Sequence, residues 1–177
     1  MKKLVFFSFL LLVTLNLQSQ DTTAVSQPLR KFNIGLGAGM DYGGFGTRIT
    51  VLASEKLEFF GALGYNILGV GVNAGADLRL APKSRICPYL GAMYGYNAVI
   101  KITGTDIYNQ TYYGPTFNFG IEFWSGRKPS FFNLELLLPI RSKEFHDDIT
   151  SLKNNPAITF KNDLLPIGIG LGFHFAL

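Results

Sequence analysis

Residues 167–177 read Ile167-Gly168-Ile169-Gly170-Leu171-Gly172-Phe173-His174-Phe175-Ala176-Leu177. Ile167, Ile169, Leu171, Phe173, Phe175 and Leu177 fall at every second position, with small or polar residues between them. In a strand these two sets point to opposite faces. Helical spacing fits poorly, because each interior glycine costs a helix about 1 kcal/mol relative to alanine. The stretch is expected to be the closing strand of a membrane barrel, with its bulky face in lipid.

Seven further segments alternate in the same way. Phe32 to Met40 carries Phe32, Ile34, Leu36, Ala38 and Met40 against Asn33, Gly35, Gly37 and Gly39. Segments follow at about 45–53, 57–65, 68–80, 87–100, 112–124 and 131–141. The fourth is the most regular, with Leu68, Val70, Val72, Ala74, Ala76, Leu78 and Leu80 in one row. Turn residues separate the segments, as at Asp41-Tyr42-Gly43-Gly44, Ser54-Glu55-Lys56 and Ala81 to Arg85. Residues 101–111 and 142–163 are expected to be long polar loops. Most segments have the length that a tilted strand needs to cross a bilayer.

The N-terminus has the pattern of a secretion signal. Lys2 and Lys3 precede the apolar run Leu4 to Leu15, and Ser19, Gln20 and Asp21 follow. Residues 1–20 are assigned to this signal, 21–30 to a polar leader and 31–177 to the barrel. Removing the signal leaves (16 − 2) − 12 = +2 charges. That balance argues against nucleic acid as a partner. The single cysteine, Cys87, cannot form an internal disulfide. Past the signal no apolar run reaches the length of a spanning helix. Yet 47% of residues are hydrophobic and only 16% charged. For an exported chain, a closed outer-membrane barrel reconciles these facts.

Eight strands place both termini at one end. With that end periplasmic, the turns at 54–56, 81–85 and 125–130 are short, and the connections 101–111 and 142–163 are the long outer loops, the usual asymmetry of such barrels. A lipocalin-like soluble barrel would reverse the two faces. Against it, most of the 20 glycines lie on the small and polar row, which contains no lysine, unlike a water-facing exterior. An eight-stranded interior also has room for small side chains and not for dozens of Phe, Leu and Tyr.

With the signal, the eight alternating segments, Pro88-Tyr89-Leu90-Gly91 opening a strand and the aromatic closing strand, residues 31–177 resemble the small outer-membrane barrels of the OmpA/OmpX type. The resemblance implies an eight-stranded antiparallel up-and-down transmembrane β-barrel in the outer membrane of a Gram-negative bacterium. It implies outer-membrane lipid and the barrel-assembly machinery, reached through the C-terminal strand, as partners. The terminal Leu177 departs from the Phe or Trp usual in such strands.

The inward row is expected to carry Arg48, Glu58, Asp77, Arg79, Glu122, Glu135, Arg141 and His174 as a polar lumen network. Buried charges must be paired, so a salt-bridged plug toward the periplasmic end is expected. Tyr42, Tyr65, Tyr94, Tyr96, Tyr108, Tyr112 and Tyr113 are assigned to an outer aromatic girdle, with the Tyr108, Tyr112 and Tyr113 cluster equally suited to partner recognition, and Trp124, Phe131, Phe132, Phe173 and Phe175 to an inner one. His146-Asp147-Asp148, with Ser142 and Ser151 nearby, is the nearest approach to a catalytic or metal cluster. The eight-stranded barrels that acylate or deacylate lipid A use a histidine near a serine and an acid, but no motif here sets a nucleophile beside a base. No catalytic residue, metal or cofactor is assigned. The expected role is a non-enzymatic structural one, or interaction with an extracellular partner through loops 101–111 and 142–163. A narrow porin-like solute or ion channel and a lipid-modifying enzyme are the alternatives.

Overall fold

A computed structural model describes residues 31–102, 108–126, 129–156, 158 and 165–177. The assigned signal and leader, and parts of both long loops, lie outside these residues. Eight strands form one closed antiparallel barrel in sequence order. They are β1 (Phe32–Gly39), β2 (Gly44–Leu52), β3 (Leu57–Tyr65), β4 (Val70–Arg79), β5 (Ile86–Ile100), β6 (Gln110–Trp124), β7 (Ser130–Pro139) and β8 (Gly168–Ala176). The glycine-alternating closing segment pairs with β1 from Asn33↔Ala176 to Ala38↔Leu171, and with β7 on its other side. Closure removes every edge below the barrel's long rim.

Local chemistry sets the tight links. The Ser54 hydroxyl accepts the Leu57 N–H at 3.0 Å and turns β2 into β3. Asn66 Oδ1 accepts the N–H groups of Leu68 and Gly69 at 2.9 and 3.0 Å, a side-chain turn between β3 and β4. Gly43 and Gly44, with φ of 71° and 111°, hold conformations that a side chain resists. A Cβ on Gly43 or Gly44 would also strike the backbone carbonyl of Gly71 or Tyr65.

The alternation resolves into two faces. Leu36, Phe45, Leu63 and Ile169 are between 59% and 73% exposed on the outside. Asn33, Arg48, Asp77, Glu122 and Glu135 are at most 2% exposed on the inside. Among the described strand residues of the outward row, none is charged.

Two features depart from simple alternation. The register of β5 against β6 shifts between Tyr96 and Ala98, so Asn97 and Ala98 are both buried. In addition, residues 142–163 are not simply a polar loop. They contain the helix α1 (Lys143–Lys153), started by the Ser142 hydroxyl, which accepts the Phe145 N–H at 3.2 Å. Phe145, Ile149 and Leu152 recur at helical spacing and supply its apolar side.

Candidate functional site

The lumen is crossed by three linked tiers of side chains. Nearest the chain ends, Arg79 donates to Glu122 Oε2 from Nε and Nη2 at 3.1 and 2.9 Å. Trp124 Nε1 donates to the same oxygen at 2.7 Å. Trp124 packs on Phe131 at 4.4 Å, and Phe131 stacks on His174 at 4.5 Å. Trp124 and Phe131 therefore line the lumen floor and leave the inner aromatic girdle assigned to them. Each shares its strand parity with an inward polar neighbour, Glu122 or Asn133.

The middle tier centres on Arg48. Its guanidinium donates to Glu135 Oε1 at 2.7 Å and to Asp77 Oδ2, and it lies over the Phe60 ring at 3.7 Å. Glu135 also accepts from Tyr89 at 2.6 Å, Asn133 at 2.8 Å and Asn118 at 3.2 Å. Asn118 bridges to Asp77 at 2.8 Å. The glycines opposite make room: a Cβ at Gly91 would meet Asp77 and Asn118, and one at Gly120 would meet the Tyr89 ring.

The third tier comes from the first surface connection. Met40–Tyr42 forms one 3-10 turn that folds into the barrel, against β1 to β5 and β8. Tyr42 is completely buried. Its hydroxyl donates to Asn133 Oδ1 at 2.8 Å and lies 2.5 Å from His174 Nε2. Asp41 lies 3.7 Å from Arg48, and Asn73 donates to the Met40 carbonyl. Met40 joins Phe60, Met93 and Leu137 in an apolar cluster inside the barrel. Tyr42 thus leaves the outer girdle assigned to it and becomes a lumen plug.

The glycines of the upper inner row are the receptacle for this turn. A Cβ at Gly37 or Gly172 would meet Tyr42, at Gly170 Asp41, at Gly71 the Gly43 carbonyl and at Gly168 Met40. Gly172→Ala is expected to destabilise the barrel by about 1–3 kcal/mol, as overpacking does. Truncating Tyr42 as well removes the clash, so the double substitution Gly172→Ala with Tyr42→Ala is expected to cost clearly less than the sum of the singles. Urea unfolding in lipid vesicles measures this coupling. Additive costs would mean that Tyr42 does not occupy the space beside Gly172.

Seven of the eight residues assigned to the lumen network are inside the barrel. They divide into the Arg48–Asp77–Glu135 group, the Arg79–Glu122 pair, Glu58, which is buried without an ion pair to either arginine, and His174 under the turn. The charges thus form two separate sets, one of them central, and not a single plug at one end. Arg141 is the exception. β7 ends at Pro139, followed by one last backbone bond from the Ile140 N–H to the Pro115 carbonyl at 2.9 Å. Arg141 instead donates to the Leu165 carbonyl at 2.6 Å and lies over the Phe145 ring at 5.3 Å. Tyr42, Asp41, Tyr89, Asn118 and Asn133 complete the network and were not among the residues assigned to it.

At the opposite end from the termini, β5 and β6 extend beyond their outer neighbours. Past Asn73↔Gly95 and Thr116↔Pro139 they pair with each other alone, from Tyr96↔Tyr113 to Ile100↔Gln110. The inner face of this hairpin carries Ala98, Ile100 and Tyr112, on which α1 packs Phe145 and Leu152. Tyr112 meets Phe145 edge-on at 5.2 Å and donates to Asp148 at 2.6 Å. Gln110 donates to Glu144 at 2.9 Å. Tyr112 is therefore a platform residue and not a girdle tyrosine, whereas Tyr65 and Tyr94 are each 64% exposed on the outside. His146 sits on the exposed side of α1 against the Phe145 ring, and the Ser142 hydroxyl is occupied as the helix cap.

No family model matches the chain, and no curated protein matches it in sequence. Among solved structures it is similar to the N-terminal β-barrel domain of Pseudomonas aeruginosa OprF, with a TM-score of 0.46 and 14% identity, over 84% of this chain and 100% of that one.

Proposed function

We propose that this chain is an integral outer-membrane β-barrel that is sealed to solutes, is not an enzyme, and presents the α1–hairpin platform outside the cell. The observation that carries the membrane reading is the uncharged, bulky outward row on all eight strands. Nine residues at about 3.3 Å each, tilted by about 40°, rise about 23 Å, close to the roughly 25 Å apolar band of such barrels. Water around this belt would leave a large apolar surface exposed. Hydrocarbon solvates it, and the backbone polar groups are satisfied by ring closure. On this reading residues 1–20 are an export signal, β8 is what the assembly machinery engages, and lipid is the main partner.

The sealed interior is supported by the inward 3-10 turn above the Arg48 and Arg79 tiers. The platform is supported by its position at the end opposite the termini and by the packing of α1 on the hairpin. Planar-bilayer recording tests the seal: the purified wild-type barrel is expected to insert and pass no stepwise current. A reproducible single-channel current would replace this reading with a narrow pore.

A further inference from the structure

Between α1 and the start of β6 lies a cleft of about 250 Å³. Tyr108 and Leu152 give it apolar walls, and Gln110, Asp148, Ser151 and Asn155 give it polar ones. Its volume is below the usual range for drug-sized ligands, which suits a molecule of about one ring. The chemistry of the walls narrows the class. Asp148 is the charged residue among those lining it, and its Oδ2 already takes the Tyr112 hydroxyl. Among the described residues no lysine or arginine lines it, so a phosphate or carboxylate would meet the Asp148 carboxylate with no counter-charge from them. A pure hydrocarbon would leave unmet the hydrogen-bonding capacity that Gln110 and Asp148 keep beyond their bonds to Glu144 and Tyr112.

A molecule ringed by hydroxyls avoids both costs. Each hydroxyl both donates and accepts, and amide, carboxylate and hydroxyl side chains offer matching partners. The Tyr108 ring, 44% exposed, offers a flat apolar surface for the C–H face of a ring. We propose that this cleft binds one ring of a neutral saccharide, either free or at the end of a glycan. This deepens the surface-presentation reading and rests on it for the side of the membrane on which the sugar is met.

The test uses the full mature barrel in nanodiscs of neutral phospholipid and saturation-transfer NMR. Methyl glucoside, methyl galactoside and N-acetylglucosamine are the probes, with glucose 6-phosphate and choline as charged comparisons. At least one neutral sugar is expected to receive saturation at its ring protons. Binding is expected to weaken at least tenfold in Tyr108→Ala, which removes the flat surface, and in Ser151→Trp, which fills the cleft. The heat-dependent gel shift of the barrel reports folding of each variant. Tighter binding of the same sugar at the end of an oligosaccharide would identify a glycan, and equal binding a free sugar. The proposal is overturned if folded wild type transfers saturation to none of the neutral sugars, or to choline or the phosphate alone. It is equally overturned if both variants bind the sugar unchanged. Labelling of Lys143 on intact cells by an impermeant amine reagent, mapped by mass, separates the two readings. Labelled Lys143 without sugar binding defeats the saccharide proposal alone, and unlabelled Lys143 defeats surface presentation.

Discussion

Leu134→Arg is expected to destabilise the barrel in bilayers by about 2–4 kcal/mol, the cost of a cationic side chain facing lipid near the midplane. Leu134 lies mid-way along β7, is 43% exposed on the outward row, and is paired with Leu171 of β8. Its removal leaves no cavity, because its neighbours on that side are solvent molecules of one kind or the other. The sign of the effect is therefore set by the identity of the solvent. In water an exposed leucine can become arginine at a cost usually within about 0.5 kcal/mol. Ile67→Arg is the matched comparison, since Ile67 is 67% exposed in the turn between β3 and β4. Near an interface the same change costs about 0–1 kcal/mol. Reversible urea unfolding in lipid vesicles reads both. Equal and small costs at Leu134 and Ile67 would contradict a hydrocarbon belt.

The second large effect is expected from Arg48→Ala, at about 3–5 kcal/mol, the usual cost of removing one partner from a buried ion pair. Arg48 is the shared cation of Asp77, Glu135 and Asp41, and all four are buried. Without it, Asp77 and Glu135 keep hydrogen bonds from Asn118, Tyr89 and Asn133 but lose their counter-charge. Phe60 also loses the guanidinium that packs on its ring. The companion change Arg79→Ala removes the cation of Glu122, which retains the Trp124 N–H donor. Because Arg48 serves three carboxylates and Arg79 pairs with Glu122, the Arg48 variant is expected to be the less stable of the two. The same urea titrations rank them. A cost at Arg48 below about 1 kcal/mol, the range of exposed pairs, would mean that water reaches this tier.

How far the sequence reveals this structure follows from what alternation encodes. Strand parity separates two faces of different chemistry, so the strands and the inward placement of Arg48, Asp77, Arg79, Glu122 and Glu135 are legible from spacing. Tyr89, Asn118 and Asn133 share that parity. Their lack of charge hides their role, although a buried carboxylate such as Glu135 needs neutral donors as well as a cation. Parity carries no information about turns. The inward fold of Asp41 and Tyr42 depends on three-dimensional space, and its trace in the sequence is indirect. Glycines crowd the upper inner positions at Gly37, Gly64, Gly71, Gly170 and Gly172, where small side chains alone leave the interior underfilled.

Alternation continues in the sequence to Arg141, whereas the backbone pairing of β7 ends with the Ile140 N–H. α1 was readable from the Ser142 cap and the Phe145, Ile149 and Leu152 spacing, but its polar composition hides a short apolar stripe. Its partner surface exists because the bulge at Asn97 turns Ala98 and Ile100 inward, and a one-residue phase change of that kind leaves no turn signal.

On the proposed reading, hydrocarbon surrounds the bulky row. The most direct measurement places a nitroxide on cysteine at Leu63, Leu134 and Leu171 in turn, in a Cys87→Ser background, with the barrel in lipid vesicles. Collision with dissolved oxygen is expected to be high at all three sites, and collision with a water-soluble nickel chelate low. Free collision with the chelate at these positions would put water, not hydrocarbon, against the bulky row and overturn the membrane reading.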